Sequence, residues 1–163
     1  ENFYVLMDAA YEVELFKDFY IHKSMISTLK TNNRILNVVG SIFAKENDYD
    51  NCLLLNDEKN VVESLNGNIF MVTGSEVKTP PLSDGCLDGV LRKNLISVIS
   101  KTESYQLVEE SISPFELQKA DELFITNVIS GIIPITKYRK KKYVKTVSQS
   151  LIGKLNMAVR IAI

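Results

Sequence analysis

The 163-residue chain is 45% apolar and 24% charged, a composition typical of a globular domain with a core of its own. Its 19 lysines and arginines nearly balance its 20 aspartates and glutamates, so no global field favours nucleic acid or an anionic membrane surface as a partner. No apolar run reaches the length of a membrane-spanning helix, so no membrane partner is expected.

Strand-like and helix-like patterns alternate along the first half of the chain. Aromatic and β-branched residues predict extended chain over 11–23. Apolar residues at helical spacing predict a helix within 31–47, with Thr31 or Asn32 as its cap. Short apolar runs bounded by turn residues predict strands over 51–57, 61–67, 68–74 and 76–79.

The second half continues the alternation without strict β-α order. A helix is predicted over 89–102, a strand over 105–111, and a helix start at Ser113-Pro114. Residues 121–139 read as two strands with a break from Asn127 to Gly131, and 147–163 as a final helix. The class is therefore mixed α and β, in a single domain.

The stretch Thr79 to Arg92, TPPLSDGCLDGVLR, concentrates chain-breaking residues just ahead of a predicted helix. Gly89 stands at the entrance of that helix, so the amides of Val90 and Leu91 are first-turn donors without an intrahelical acceptor. Such an end attracts a phosphate or carboxylate by roughly 0.3–1 kcal/mol when exposed. On spacing alone, a plain surface loop with a good cap explains the residues somewhat better, because the spacing matches neither a dinucleotide fingerprint nor a P-loop.

Three further places carry residue types that suit a cleft. Lys30 lies just ahead of a predicted helix, where its amine can point inward, although a solvated lysine is the commoner case. Glu63 lies in apolar surroundings, and a buried carboxylate needs a partner, for which a salt bridge would suffice. Thr126 and Asn127 follow a buried strand and precede Gly131.

Together these stretches resemble the class IV aminotransferases, the fold-type IV pyridoxal-phosphate enzymes, which include branched-chain and D-amino acid aminotransferases and aminodeoxychorismate lyases. The segments LKTNNRILNVVGSIFA, LLLNDEKNVVESLNGNIFMVTGSEVKTPPLSDGCLDGVLR and ADELFITNVISGIIPI follow the family's order. The elements E-x-x-x-x-N-[IL]-F, T-P-P-L and G-x-x-R carry the resemblance. It implies the large C-terminal domain of the D-amino acid aminotransferase-like fold, a barrel-like mixed sheet flanked by helices.

The resemblance also implies roles for single residues. Lys30 is similar to the lysine that forms a Schiff base with the aldehyde of pyridoxal 5'-phosphate. This reaction needs an unprotonated amine. The same lysine later shuttles a proton. Glu63 is similar to the carboxylate that keeps the pyridine nitrogen protonated, so that the ring accepts electrons. Asn68 and Arg92 also match the family, and we expect structural roles for both, Asn68 as a hydrogen-bonding residue within its strand turn.

Further matching positions belong to the cofactor pocket. Leu87 corresponds to the apolar residue that packs on the ring. The amides of Val90 and Leu91, approached through Gly89, correspond to those that hold the phosphate.

The loop after residue 125 corresponds to the second side of the pocket. Thr126 and Asn127 match its phosphate-side or substrate-side residues. The same resemblance places the substrate against Val128 and Ile129.

In this family a smaller N-terminal domain precedes the matched region and supplies an arginine to the cofactor phosphate. We therefore predict that residues 1–163 form one cofactor-binding domain, that 1–10 are a remnant of the interdomain linker, and that the parent protein has an N-terminal domain. The isolated domain should turn over poorly. Because the family's active sites lie near a dimer interface, a homodimer is implied.

The reaction itself is left open. Branched-chain enzymes commonly carry a tyrosine five positions after the lysine, where this chain has Ile35, preceded by Arg34. The main prediction is transfer of an amino group between an amino acid and a 2-oxo acid. The alternative, favoured by the asparagines of LKTNNR and ITN, is an aminodeoxychorismate lyase that gives 4-aminobenzoate and pyruvate. A non-catalytic domain is a third alternative, against which the retention of Lys30 and Glu63 argues.

The remaining reactive residues suit ordinary roles. His22, the only histidine, and two distant cysteines cannot assemble a metal site. Cys52 and Cys86 show no pairing pattern, which indicates free thiols, and with no secretory signal at the start we expect a cytoplasmic protein. The basic run at 137–143 predicts a solvated hairpin or loop rather than a nucleic-acid patch.

Overall fold

A computed structural model describes residues 2–162, so Glu1 of the predicted linker and Ile163 of the predicted final helix lie outside the described residues. The strands are β1 (Glu12–Ile21), β2 (Asn51–Asn56), β3 (Val61–Ser64), β4 (Gly67–Thr73), β5 (Glu76–Thr79), β6 (Gln106–Glu109), β7 (Glu122–Asn127), β8 (Gly131–Ile135), β9 (Lys137–Tyr138) and β10 (Lys141–Lys142). The helices are α1 (Ile35–Glu46), α2 (Val90–Ser100), α3 (Pro114–Leu117) and α4 (Thr146–Ala162), with 3-10 turns at Met25–Thr28 and Leu82–Asp84.

The strands form one mixed sheet. Its order is β10-β9-β1-β2-β3-β4-β5-β6, and β7 pairs with β4 and with β8. The pairs β1–β2 and β5–β6 are parallel, and a helix joins the strands of each: α1 between the first pair and α2 between the second. Parallel neighbours need such a crossover, whereas the hairpins between β2 and β5 need only turns. The predicted mixed class is confirmed.

The core divides between the two faces of the sheet because strand side chains alternate. On β4, Ile69 and Met71 join the cluster that includes residues of β1, β2 and β7. Phe70 and Val72 point the other way and pack with side chains of α2 and α4. Phe70 stacks on Phe124 of β7, with ring centroids 5.2 Å apart.

Helix α1 lies close against the neighbouring hairpin. A β-carbon at Gly40 would come within 2.5 Å of the Leu65 side chain, so the glycine permits this approach. The predicted cap of α1 is wrong: the helix begins after Arg34, which makes no side-chain capping bond. Thr31 and Asn32 precede that start, in chain that is neither helix nor strand.

The first residues dock on the domain. Tyr4 is buried, its amide donates to Asn156 Oδ1 of α4, and Asn156 Nδ2 donates to the Tyr4 carbonyl, both at 2.8 Å. The Tyr4 ring covers Gly131, where φ is +75° and where a β-carbon would lie 2.6 Å from the ring. The basic run at 137–143 forms the predicted hairpin, β9–β10, but it is not fully solvated, because the Tyr138 side chain is buried in the core. Among the described residues, no helix has both the length and the apolar character needed to cross a bilayer.

Candidate active site

A cavity of about 210 Å³ opens where the segment ahead of α1, the β3–β4 hairpin, the start of α2 and the end of β7 meet. Its lining is Lys30, Arg34, Glu63, Asn66, Gly67, Asn68, Leu87, Asp88, Gly89, Val90, Leu91, Thr126, Asn127 and Val128. All eight predicted cofactor residues and one of the two predicted substrate residues therefore line a single cavity. Ile129 is the exception, since it is 89% exposed and does not belong to the lining.

Glu63 is the buried carboxylate of the cavity. Only 7% of the residue is exposed, and its Oε2 accepts a hydrogen bond from the Leu87 amide at 2.7 Å. Desolvation raises the pKa of Glu63 to about 7, against the opposing effects of the Leu87 amide, Arg34 and Lys30. Within residues 2–162 Glu63 forms no salt bridge, so a backbone amide is the partner that the sequence could not identify.

Backbone groups of the loop between β5 and α2 hold this loop in place beside the cavity. Asn68 Nδ2 donates to the Leu87 carbonyl at 2.7 Å, and the Asp88 amide donates to the Thr28 carbonyl at 2.9 Å. A β-carbon at Gly89 would lie 2.2 Å from Asn68 Oδ1, so any other residue would displace the Asn68 side chain from its place on this loop. Asn68 is thus a structural hydrogen-bonding residue, as expected, but its partner lies on this loop and not in its own hairpin.

The cavity lining contains two sets of donors, one at the start of α2 and one on β7. Gly89 caps the helix without a side chain, which leaves the first-turn amides of Val90 and Leu91 without intrahelical acceptors. Thr126 on β7 is 2% exposed, and its Oγ1 is buried without a hydrogen-bond partner among the described residues. Backbone amides at a helix start and an unpartnered hydroxyl together suit an anion with several oxygens.

Arg92 stabilises the same loop from behind. The residue is 3% exposed, and Nη2 donates to the Pro80 carbonyl at 2.9 Å and pairs with Glu109 Oε2 at 2.6 Å. Because these bonds tie the loop to β6, the expected structural role of Arg92 agrees with its contacts.

The turn between β7 and β8 is also ordered. Asn127 Oδ1 accepts from the amides of Ile129 (3.0 Å) and Ser130 (2.9 Å), which closes the turn locally. The Tyr4 hydroxyl donates to the Val128 carbonyl at 3.0 Å. The sequence indicated the break but gave no sign that the distant Tyr4 supports it.

Lys30 and Arg34 approach the cavity from the segment ahead of α1. Lys30 is exposed and belongs to coil, and its charge, like that of Arg34, opposes the rise in the pKa of Glu63. Sequence reasoning overlooked Arg34 as a lining residue, as it did Asn66, Gly67 and Asp88.

Known proteins of one family resemble this chain. The model of the amino-transferase class IV family matches residues 7–138. A relative from Methanocaldococcus jannaschii, named as a branched-chain-amino-acid aminotransferase, is 36% identical over 107 residues, which is 66% of this chain and 37% of the relative.

Solved structures share the fold. The branched-chain aminotransferase of Thermoproteus uzoniensis has a TM-score of 0.83 at 26% identity, over 92% of this chain and 51% of that one. The 4-amino-4-deoxychorismate lyase of Pseudomonas aeruginosa has a TM-score of 0.81 at 22% identity, over 91% of this chain and 55% of that one. The predicted fold is confirmed, and the chain spans only about half the length of these solved chains. Because the family model matches most of its length, the chain belongs to the class IV aminotransferases.

Proposed function

We propose that this chain is the cofactor-binding part of a pyridoxal-phosphate enzyme that transfers an amino group between an amino acid and a 2-oxo acid. Class IV aminotransferases depend on this cofactor in general. The observation that carries the proposal is one cavity lined by an amine, a buried carboxylate and a cluster of anion-binding donors.

The residues present fit the cofactor at three points. The amides of Val90 and Leu91 and the unpartnered hydroxyl of Thr126 suit the phosphate. Glu63, buried and fixed by the Leu87 amide, suits the pyridine nitrogen. When bound, the cofactor supplies an electrophilic aldehyde carbon and a ring that accepts electrons.

The protein's contribution is to hold the charges and to move a proton. Glu63 without a cationic partner has a pKa raised to about 7 by burial, so a protonated ring nitrogen beside it would favour the carboxylate form. Lys30 Nζ is the group placed to accept and return a proton, because Lys30 supplies the amine among the lining residues. Leu87 gives the ring an apolar neighbour at the point where its own amide orients Glu63.

The surroundings of the cavity support a larger assembly. Leu29, Ile35, Val90 and Ile129 flank it and are 58%, 67%, 64% and 89% exposed. Exposed apolar groups around an open cavity indicate a covering surface, which we assign to an N-terminal domain of the parent protein and to a second subunit of a homodimer. The buried free thiols are compatible with a cytoplasmic enzyme.

Cofactor trapping tests the proposal directly. Pyridoxal 5'-phosphate is added to the purified protein, the mixture is reduced with borohydride, and the modified peptide is mapped by mass spectrometry. We expect the label on Lys30, with Lys93, which is paired with Asp88 at 2.7 Å, as an internal control that stays unmodified. A label on another lysine, or none, would refute the proposed site.

The lyase alternative is favoured by the asparagines of LKTNNR and ITN. Both reactions use the same amine and carboxylate, so the cavity alone does not separate them. With the parent protein, transfer of an amino group from an amino acid to 2-oxoglutarate would support the main proposal. Release of pyruvate from aminodeoxychorismate would support the alternative, and cofactor binding without either activity would support a non-catalytic domain.

A further inference from the structure

Tyr4, near the start of the chain, contacts the turn between β7 and β8 in two places. Its hydroxyl donates to the Val128 carbonyl at 3.0 Å, and its ring covers Gly131, where a β-carbon would come within 2.6 Å of the ring. Val128 lines the cavity, and Gly131 begins β8. One buried side chain therefore supports the turn both in its middle and at its end.

The hydroxyl holds a peptide group that is already held from its other side. The Ile129 amide donates to Asn127 Oδ1 at 3.0 Å, and the carbonyl of the same peptide, that of Val128, accepts from Tyr4. Because a peptide group is planar, hydrogen bonds at its carbonyl and at its amide fix the orientation of the whole plane. Type I and type II turns differ in the orientation of their central peptide, so the hydrogen bond from Tyr4 favours one orientation.

The position of Tyr4 is set by α4 and not by the turn. The buried side chain of Asn156 accepts from the Tyr4 amide and donates to the Tyr4 carbonyl, both at 2.8 Å. Further along the first segment, Asp8 pairs with Lys145, which immediately precedes α4. The segment therefore rests on α4, and the hydroxyl reaches the turn from this support.

We infer that Tyr4 is a positioning residue of the active site, an inference that rests on the proposed function. Tyr4 does not belong to the described lining of the cavity and acts through the turn. By fixing the peptide after Val128, it holds the Val128 side chain and the adjoining end of β7 at the cavity, where Thr126 offers a hydroxyl without a partner among the described residues. The first residues of the chain, which the sequence predicts to be linker, thus support the cofactor pocket.

The test compares two substitutions that make the same chemical change in different places. Tyr4→Phe removes the hydroxyl bonded to the Val128 carbonyl and keeps the ring over Gly131. Tyr143→Phe, the matched control, removes a hydroxyl that donates to the Leu117 carbonyl at 2.7 Å, and neither of these two residues lines the cavity. Urea unfolding measures the stability of each variant, and titration with pyridoxal 5'-phosphate, followed by absorbance, measures its affinity for the cofactor.

We expect both variants to lose stability to a similar extent, because each loses one hydrogen bond to a backbone carbonyl. Only Tyr4→Phe should also lose affinity for pyridoxal 5'-phosphate, by at least threefold, while Tyr143→Phe binds the cofactor as the wild type does. A role confined to folding would lower the stability of Tyr4→Phe and leave its affinity unchanged.

A loss of affinity smaller than threefold in Tyr4→Phe would overturn the inference alone. An equal loss in Tyr143→Phe would overturn it as well, since the effect would then follow stability and not the turn. Failure to trap the cofactor on Lys30 of the wild-type protein would instead overturn the proposed function, and this inference with it.

Discussion

Glu63→Gln isolates the cost of burying a carboxylate in the cavity. Glutamine keeps an oxygen that can accept the hydrogen bond from the Leu87 amide, which is 2.7 Å from the carboxylate in the native protein. Unlike the carboxyl group, it does not ionise at any pH compared. Because the pKa of Glu63 is raised in the folded protein to about 7 from an ordinary 4.5, the folded state binds more protons than the unfolded state between these values.

The sign and size of the effect follow from proton linkage. The contribution of Glu63 to the free energy of unfolding is largest below pH 4.5. It is lost as the pH rises through about 7. At about 1.4 kcal/mol per pKa unit, the loss between pH 5 and pH 8 amounts to about 2.5 kcal/mol. The glutamine variant lacks this loss, so its stability relative to the wild type should increase over the same range.

Urea unfolding at pH 5 and at pH 8 measures this difference, because the other titrating groups are common to both proteins and cancel. Glu46→Gln, at the exposed end of α1, serves as the matched control and should follow the wild type at both values. A difference between Glu63→Gln and the wild type that stays constant from pH 5 to pH 8 would show that Glu63 is not desolvated in the folded protein.

Three other substitutions test the supporting structure. Tyr4→Phe removes the 3.0 Å hydrogen bond to the Val128 carbonyl; it should cost about 0.5–1.5 kcal/mol of unfolding free energy and speed hydrogen exchange in the turn between β7 and β8, which mass spectrometry can follow. Gly89→Ala places a β-carbon 2.2 Å from Asn68 Oδ1. Because this clash displaces the Asn68 side chain from its place on the loop ahead of α2, the affinity for pyridoxal 5'-phosphate measured by titration should fall at least tenfold. Unchanged affinity would contradict the close approach of Gly89 to Asn68. Gly153→Ala in α4 meets open space, and thermal unfolding should show a gain of about 0.5–1 kcal/mol.

Local pattern predicted most of the secondary structure. The period of the apolar residues located α1, α2 and α4 and the strands of the sheet to within a few residues, because each helix or strand buries one face. The helix start at Ser113-Pro114 was visible in the sequence and is present, with the Ser113 side chain accepting from the Phe115 amide. The cap of α1 was predicted wrongly, because the chain there follows the cavity and not the local preference of Thr31 or Asn32.

The cavity was predictable only through the family resemblance, which gave the residues but not their bonds. The sequence alone indicated a helix start able to bind an anion. It also indicated a lysine just ahead of a helix and a glutamate in apolar surroundings. The fold decides which groups form hydrogen bonds. Glu63 accepts from the Leu87 amide, 24 positions away in the sequence, and Asn156 accepts from the Tyr4 amide, 152 positions away. Periodicity assigns a residue to a face, but partners distant in sequence are set by which helices and strands pack together, and that depends on the whole core.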